Sequence, residues 1–595
     1  TYVLEFGNTY IRFFKDKGQI LDSGNPYEIS SPYLTAELFD IKFAQSADVM
    51  YITHPNHEVM KLSRTGHTSW TLAQVDFTDG PYLATNSTTT TLTPAQAATG
   101  SNINITASAV TGINGGAGFQ TTDVGRIISF NSGKAKITAR TSTTVVVATI
   151  TTAFTNTNAT AAFNLGAFSD TTGHPSCVSF FEQRLVFAGT TDEPQTLFFS
   201  KAGDYENMTT GTNADDAMVY TIASNQVNAI RYMKAVRTLV VGTTGGEFTV
   251  SADGTDASIT PTNITIKRQS SFGSANVDAI PAGNAILFLQ KAKRKIRELQ
   301  YNFDSDGYQA PDLTILNETV TDTGINEMSY QQEPGSNIWC VRDDGVLACL
   351  TYQRSENVIA WSRHIFGGVF GSGKAVCESV ASISGVLTED EVWVIVKRTI
   401  NGATKRFVEC FSDFDFDETS PTSFKFLDSH LSYSGSGTTT LSGLAHLEGQ
   451  TVSVLGDGAT HANKTVSSGA ITLDRSVTSA CVGLPYDSIL QTMRIEGGAA
   501  EGTSQGKTKR ISKVVLRLFE TVGVKVGPSL TNLETIPFRT TSSLLSNPVD
   551  TLLSGDKEIE FNDDYNSDGF IFIKQDQPLP CSILAIYPTL VTSDG

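Results

Sequence analysis

The sequence predicts an all-β protein: a β-propeller-like ring of about six repeat units, with small inserted β-domains and a C-terminal β platform domain. Two observations predict it. Short apolar runs, each followed by a second short strand, recur about every 50 residues, and a composition rich in Gly, Thr and Ser favours many strands joined by turns over long helices. At 595 residues the chain also exceeds one ordinary core, since domains average roughly 150 residues.

The repeat is anchored by Val49-Met-Tyr-Ile52, Leu185-Val-Phe-Ala188, Leu239-Val-Val-Gly242, Ile286-Leu-Phe-Leu289, Ile338-Trp-Cys-Val341 and Val392-Trp-Val-Ile395. From Leu185 onward the anchors are spaced by 54, 47, 52 and 54 residues. The first interval, 136 residues, falls to 52 when the 84 residues from Ala84 to Ala167 are set aside. The second strands are Val59–Leu62, Thr196–Phe199, Glu247–Val250, Ile296–Leu299, Val346–Cys349 and Phe407–Cys410. Each unit is thus at least a hairpin. A period of about 50 fits a four-stranded propeller blade, whose faces are buried only against neighbouring blades. The competing arrangement is a set of unrelated hairpins in two sandwiches.

The intervening pieces read as separate β-units. Residues 84–167 are rich in Thr, Ala, Asn and Gly, with strands expected over Val124–Phe130 and Thr144–Thr149. A second insert, 427–484, carries Thr451–Leu455, the turn Gly456-Asp457-Gly458 and Ala470–Leu473. The division is therefore 1–83 (N-terminal β segment and first propeller unit), 84–167 (inserted domain), 168–426 (remaining units), 427–484 (second insert) and 485–595 (C-terminal platform). In the last of these, Val514, Leu516 and Leu518 share one face of a strand from Ile511 to Phe519, and Lys513, Val515 and Arg517 the other. Because Tyr2-Val-Leu-Glu-Phe6 already reads as a strand, residues upstream of Thr1 are expected.

Charge and composition exclude several functions. A formal net charge of −18 opposes tight binding to a phosphate backbone. Seven scattered cysteines without a CxxC pair argue against a zinc or disulfide framework and for buried thiols. No apolar run approaches the roughly 20 residues that span a bilayer.

Candidate chemistry is sparse. Gly368-Val-Phe-Gly-Ser-Gly-Lys374-Ala375 imitates a phosphate-binding loop but has Ala where the Mg²⁺-binding hydroxyl belongs. Gly502-Thr-Ser504-Gln-Gly506 has nucleophile-elbow spacing without a helix to follow it. The aspartates at 304/306, 413/415/417 and 563/564/568 do not fit a calcium loop and read as solvated turns. His54, His57 and His67 lack a fourth ligand and are expected at the surface. No catalytic residue, cofactor or metal is expected. The one dense basic cluster, Lys507, Lys509, Arg510, Lys513 and Arg517, is the candidate for contact with another subunit or with DNA.

Strings along the whole chain resemble the tail nozzle proteins of short-tailed phages, the tail tubular protein B family. They are Asp48–Pro55 with Lys61–Trp70, Phe181–Gly189 with Phe199–Asn207, Ala360-Trp-Ser-Arg-His364, Val482-Gly-Leu-Pro-Tyr486, Gly506-Lys-Thr-Lys-Arg-Ile511 and Gln575-Asp-Gln-Pro-Leu-Pro580. The resemblance implies a virion tail protein assembled in the host cytoplasm, hexameric, and docked to the head-to-tail adaptor with tail fibres as further partners. It also implies non-specific passage of double-stranded DNA and no catalytic residues. The rival expectations are a propeller-type hydrolase acting on host-surface glycans, which needs two carboxylates about 5 to 9.5 Å apart, and a receptor-binding module.

Overall fold

A computed structural model describes residues 1–223, 228–254, 257–385, 389–413, 420–497, 503–539 and 552–593. Among them there is no α-helix, only strands and short 3-10 turns, and no helix long and apolar enough to cross a membrane. The chain divides into two compact units, Thr1–Tyr330 and Gln331–Gly595.

In the first unit the repeat takes the form of four antiparallel meanders of four strands each. They are Lys42–Ser46, Val49–His54, His57–Gly66 and Ser69–Gln74; Cys177–Phe181, Arg184–Ala188, Thr196–Phe199 and Met218–Thr221; Ile230–Ala235, Leu239–Thr243, Gly246–Ser251 and Thr265–Arg268; and Ile280–Ala282, Ala285–Leu289, Ile296–Asn302 and Gly307–Gln309. Every anchor run is the second strand of its blade, paired antiparallel with the strand expected after it.

The anchors are unbroken apolar runs because both of their faces are covered. Leu185 and Phe187 of the second blade pack with Tyr51 and Val59 of the first. Their neighbours Val186 and Ala188 point the other way, into Ile230, Met233, Leu239 and Val241 of the third blade. Tyr232 and Val240 continue the stack onto Ile286, Phe288 and Leu299 of the fourth. This face-to-face stacking of twisted meanders is propeller packing.

The leading strands meet at a polar hub. Lys42 of the first blade donates to the Arg231 carbonyl of the third and to Asn276 Oδ1 (3.0 Å), and lies 3.8 Å from Asp278. Asp278 also takes Lys234 at 2.9 Å. Desolvation works against that carboxylate, but Lys234 and Lys42 outweigh it and hold its pKa below the ordinary value.

Two larger sheets and a two-stranded ribbon, Leu21–Asp22 with Asn25–Pro26, also belong to this unit. Residues Val3–Gly7, Tyr10–Lys15, Gly18–Gln19 and Glu28–Ser30 form a small sheet, whose Phe13 stacks on Trp70 of the first blade at 4.3 Å. Between the first and second blades the chain makes a six-stranded antiparallel sheet, Leu92–Pro94 to Phe163–Leu165, with its own core of Ile105, Ile128, Ile137, Val146 and Phe163.

In the second unit the remaining anchors lie on Asn337–Arg342 and Glu391–Ile400, each paired with its expected partner strand. Trp339, Val341 and Leu347 share a core with Val380, Val392 and Val394. A five-stranded sheet follows, built on two 15-residue strands, Asp428–Ser442 and Ala470–Leu484. It joins the preceding blade through a polar knot. The fully buried Arg398 clasps Glu409 (2.6 Å) and donates to the Gly367 carbonyl (2.8 Å), while the Gly367 amide donates to Asp428 at 2.6 Å. The C-terminal strands form sheets of three and four strands around Ile511, Val514, Leu516, Val526 and Ile573.

Candidate functional sites

Lys509, Arg510, Lys513 and Arg517 of the basic cluster lie on strand Thr508–Thr521, between Leu553–Glu560 and Ser582–Ser593, and Lys507 immediately precedes it. Val514, Leu516 and Leu518 face the core, as alternation requires, and Lys513 and Arg517 face outward. Neither outward charge is idle. Lys513 pairs with Glu558 at 3.2 Å, and Arg517 with Asp556 at 2.8 Å while lying over the Tyr587 ring. Arg510 is exposed, and its Nε donates to the Asp563 carbonyl at 3.1 Å. Lys507 is half-buried, its backbone N–H donating to Ser504 at 3.3 Å.

Lys509 is a correction. It is 0% exposed, its Nζ donates to the Ile495 carbonyl at 3.2 Å, and its stem lies against Gly569. The cause is a register shift between Ile511 and Lys513 in the pairing with Ser582–Ser593. Such a bulge reverses which residues point inward, so Lys509 and Ile511 turn to the core although strict alternation from Val514 puts them outside. Lys509 therefore offers no charge to a partner.

The other motifs resolve into ordinary structure. In the phosphate-loop imitation, Val369–Phe370 pairs with Gly373–Lys374 as a tight hairpin, and strand Val376–Ile383 follows. No helix N-terminus is there to receive phosphate. Ser504 is 3% exposed, its hydroxyl accepting from the Gly497 amide (2.9 Å) and donating to the Ile495 carbonyl (3.3 Å), so it has neither a free proton nor access. Gly502, Asp415 and Asp417 lie outside the described residues. Asp306 accepts from the Tyr301 hydroxyl at 2.6 Å and Asp568 pairs with Arg494 at 2.9 Å, but Asp563 is buried, contrary to its reading as a solvated turn, and accepts from Asn566 at 3.1 Å. All seven cysteines are free thiols, five of them buried, but Cys581 is exposed, contrary to the expectation of burial.

The histidines do not behave as one group. His67 is exposed and contacts Tyr2 at 2.6 Å, whereas His54 is 1% exposed and His57 half-buried, which corrects their assignment to the surface. Glu37, which no sequence pattern connects with them, lies 2.9 Å from His57.

A shallow cleft in the first unit lies between the first blade and the six-stranded sheet. Glu58, Asp76 and Asp170 line it, together with Lys136, His174 and Arg126. Asp170 is bonded to His174 (2.9 Å) and Asp76 lies 3.7 Å from Lys136.

No protein-family model matches the chain, and no curated protein does. Solved structures similar to parts of it include an auxiliary nutrient binding protein from Bacteroides ovatus, at 8% identity and a TM-score of 0.23 over 53% of this chain and 85% of the other. A putative phosphatase from Bacteroides thetaiotaomicron is similar at 9% identity and a TM-score of 0.25, over 65% and 94%. Phage phi92 endosialidase is similar at 11% identity and a TM-score of 0.24, over 83% and 71%. Scores this low leave the function of the chain to its own residues.

Proposed function

We propose that the chain is a structural subunit of a short-tailed phage tail, the nozzle that retains genomic double-stranded DNA and conducts it outward. In this reading six copies assemble beneath the head-to-tail adaptor. The observation that carries it is the ordered run of nozzle-like strings, of which the earlier ones fall on blade strands: Asp48–Pro55 spans strand Val49–His54, and Phe181–Gly189 spans the turn into Arg184–Ala188. A net charge of −18 per subunit supports it, since like charge weakens counterion-release binding and lets DNA slide. Electron microscopy of the purified protein and of the virion tests this. Six-fold particles with an axial channel at the tail are expected; a protein that stays monomeric and is absent from the tail overturns it.

The cleft favours one second reading, a hydrolase acting on host-surface glycans, since the carboxylates Glu58, Asp76 and Asp170 line it and carboxylates accept hydrogen bonds from sugar hydroxyls. Incubating the protein with host polysaccharide separates the two. The nozzle reading expects no released sugar, and release that Glu58→Gln abolishes would establish the hydrolase.

A further inference from the structure

Strands Val49–His54 and His57–Gly66 are joined by a two-residue turn that sets His54 and His57 opposite each other. Their ring centroids are 4.9 Å apart. Glu37, just before the 3-10 turn Leu38–Asp40, completes the group: its Oε2 accepts from the Leu34 amide at 2.9 Å and lies 2.9 Å from His57 Nε2. One ligand-capable atom from each of the three residues lies within 4.8 Å of the other two.

Two buried polar atoms here have no hydrogen-bond partner, His54 Nε2 and the hydroxyl of Tyr33. Their residues are 1% and 0% exposed, and the Tyr33 ring lies edge-on to His57 at 5.3 Å and tilted to His54 at 5.9 Å. Folded proteins rarely leave such atoms unsatisfied, so the pair marks a place built around something further. Two imidazoles and a carboxylate are a donor set suited to divalent transition metals, zinc above all.

We propose that Glu37, His54 and His57 hold a divalent transition-metal ion of the Zn²⁺ class in a structural role. The ion would fasten the hairpin of the first blade to the segment arriving from the N-terminal sheet, over a shared core of Tyr33, Ile52 and Leu62. The proton balance is defined. His54 Nδ1 now accepts from the Asn56 amide at 3.1 Å, so the neutral ring carries its proton on Nε2. Coordination through Nε2 moves that proton to Nδ1, and the amide of Asn56, an exposed turn residue, turns to water. His57 likewise gives up its contact with Glu37 as both become ligands, and water completes the shell.

The test uses the full chain, stripped with chelator and titrated with Co²⁺ as a spectroscopic probe and Zn²⁺ as competitor. One Co²⁺ per chain with visible d–d absorption is expected, displaced by Zn²⁺, with a rise in Tm. Glu37→Gln and His57→Ala should each weaken binding by roughly ten-fold or more, while His67→Ala leaves it unchanged. Glu37 and His57, with side chains 20% and 23% exposed, are changed in preference to His54, which is 1% exposed, and circular dichroism checks that each variant keeps the fold. Absence of uptake by the parent, or uptake undiminished in both variants, overturns the proposal; the first leaves a buried water in the gap, the second an adventitious ion on exposed histidines.

Discussion

At the scale of single residues, burial decides which charges are available to a partner. Lys509 has the chemistry of a docking residue and the position of a core residue. Its replacement by Ala removes the bond to Ile495 and is expected to cost about 1–3 kcal/mol in chemical denaturation; Glu there would bury an unpaired carboxylate and cost more. Alanine at outward Lys513 should change stability little, because an exposed pair is screened by water. Asp428 gives a pH-dependent counterpart. Burial, and secondarily the nearby Glu409, push its carboxyl up to about 6. An acid whose folded pKa exceeds its unfolded value, about 4, stabilises the fold through its neutral form. That contribution is full below about pH 4 and is lost as pH rises through 6. Asp428→Asn keeps an oxygen for the Gly367 amide, so the variant should melt above the parent at pH 8 and show a flatter Tm profile between about pH 4 and 6. A parent-like profile would place the titration elsewhere.

At the scale of elements, the hairpins were legible because a strand covered on both faces must be apolar at every position. That is why Leu185–Ala188 and Ile286–Leu289 stand out from the chain. The 15-residue strand Asp428–Ser442 was not, since most of it is exposed and polar and nothing in its pattern requires a strand. The bulge that buries Lys509 leaves no mark in the local pattern, and the approach of Glu37 to His57 depends on how the segment after Ser30 returns to the blade. Residues 84–167 carry a prediction of their own. The six-stranded sheet has a separate core, and both ends of the segment return near one place, with the Leu83 amide donating to the Leu165 carbonyl at 2.8 Å. Replacing the segment with a short Gly/Ser bridge should leave a cooperatively unfolding protein. Loss of the cooperative transition would show that the blades depend on the sheet.

At the scale of the whole molecule, the nozzle reading sets acidic copies side by side, where basic groups at the surface offset like-charge repulsion. Lys507 and Arg510 remain in that role once Lys509 is withdrawn. Changing both to Glu should weaken assembly and leave the monomer folded, and added salt should weaken parent assembly in the same direction, both read by mass photometry. Normal assembly with altered DNA release would place these residues in the lumen.

The separation of the first two blades also bears on how the protein reaches its fold. Strand Ser69–Gln74 ends the first blade and Cys177–Phe181 opens the second, yet Val59 and Leu185 belong to one core. A chain that closed this contact directly would have to search with a loop of about a hundred disordered residues. If the six-stranded sheet forms first, its joined ends shorten the search to that of a small loop. The excursion then acts as a kinetic clasp, and the order of events on the ribosome becomes sheet first, blade contact second.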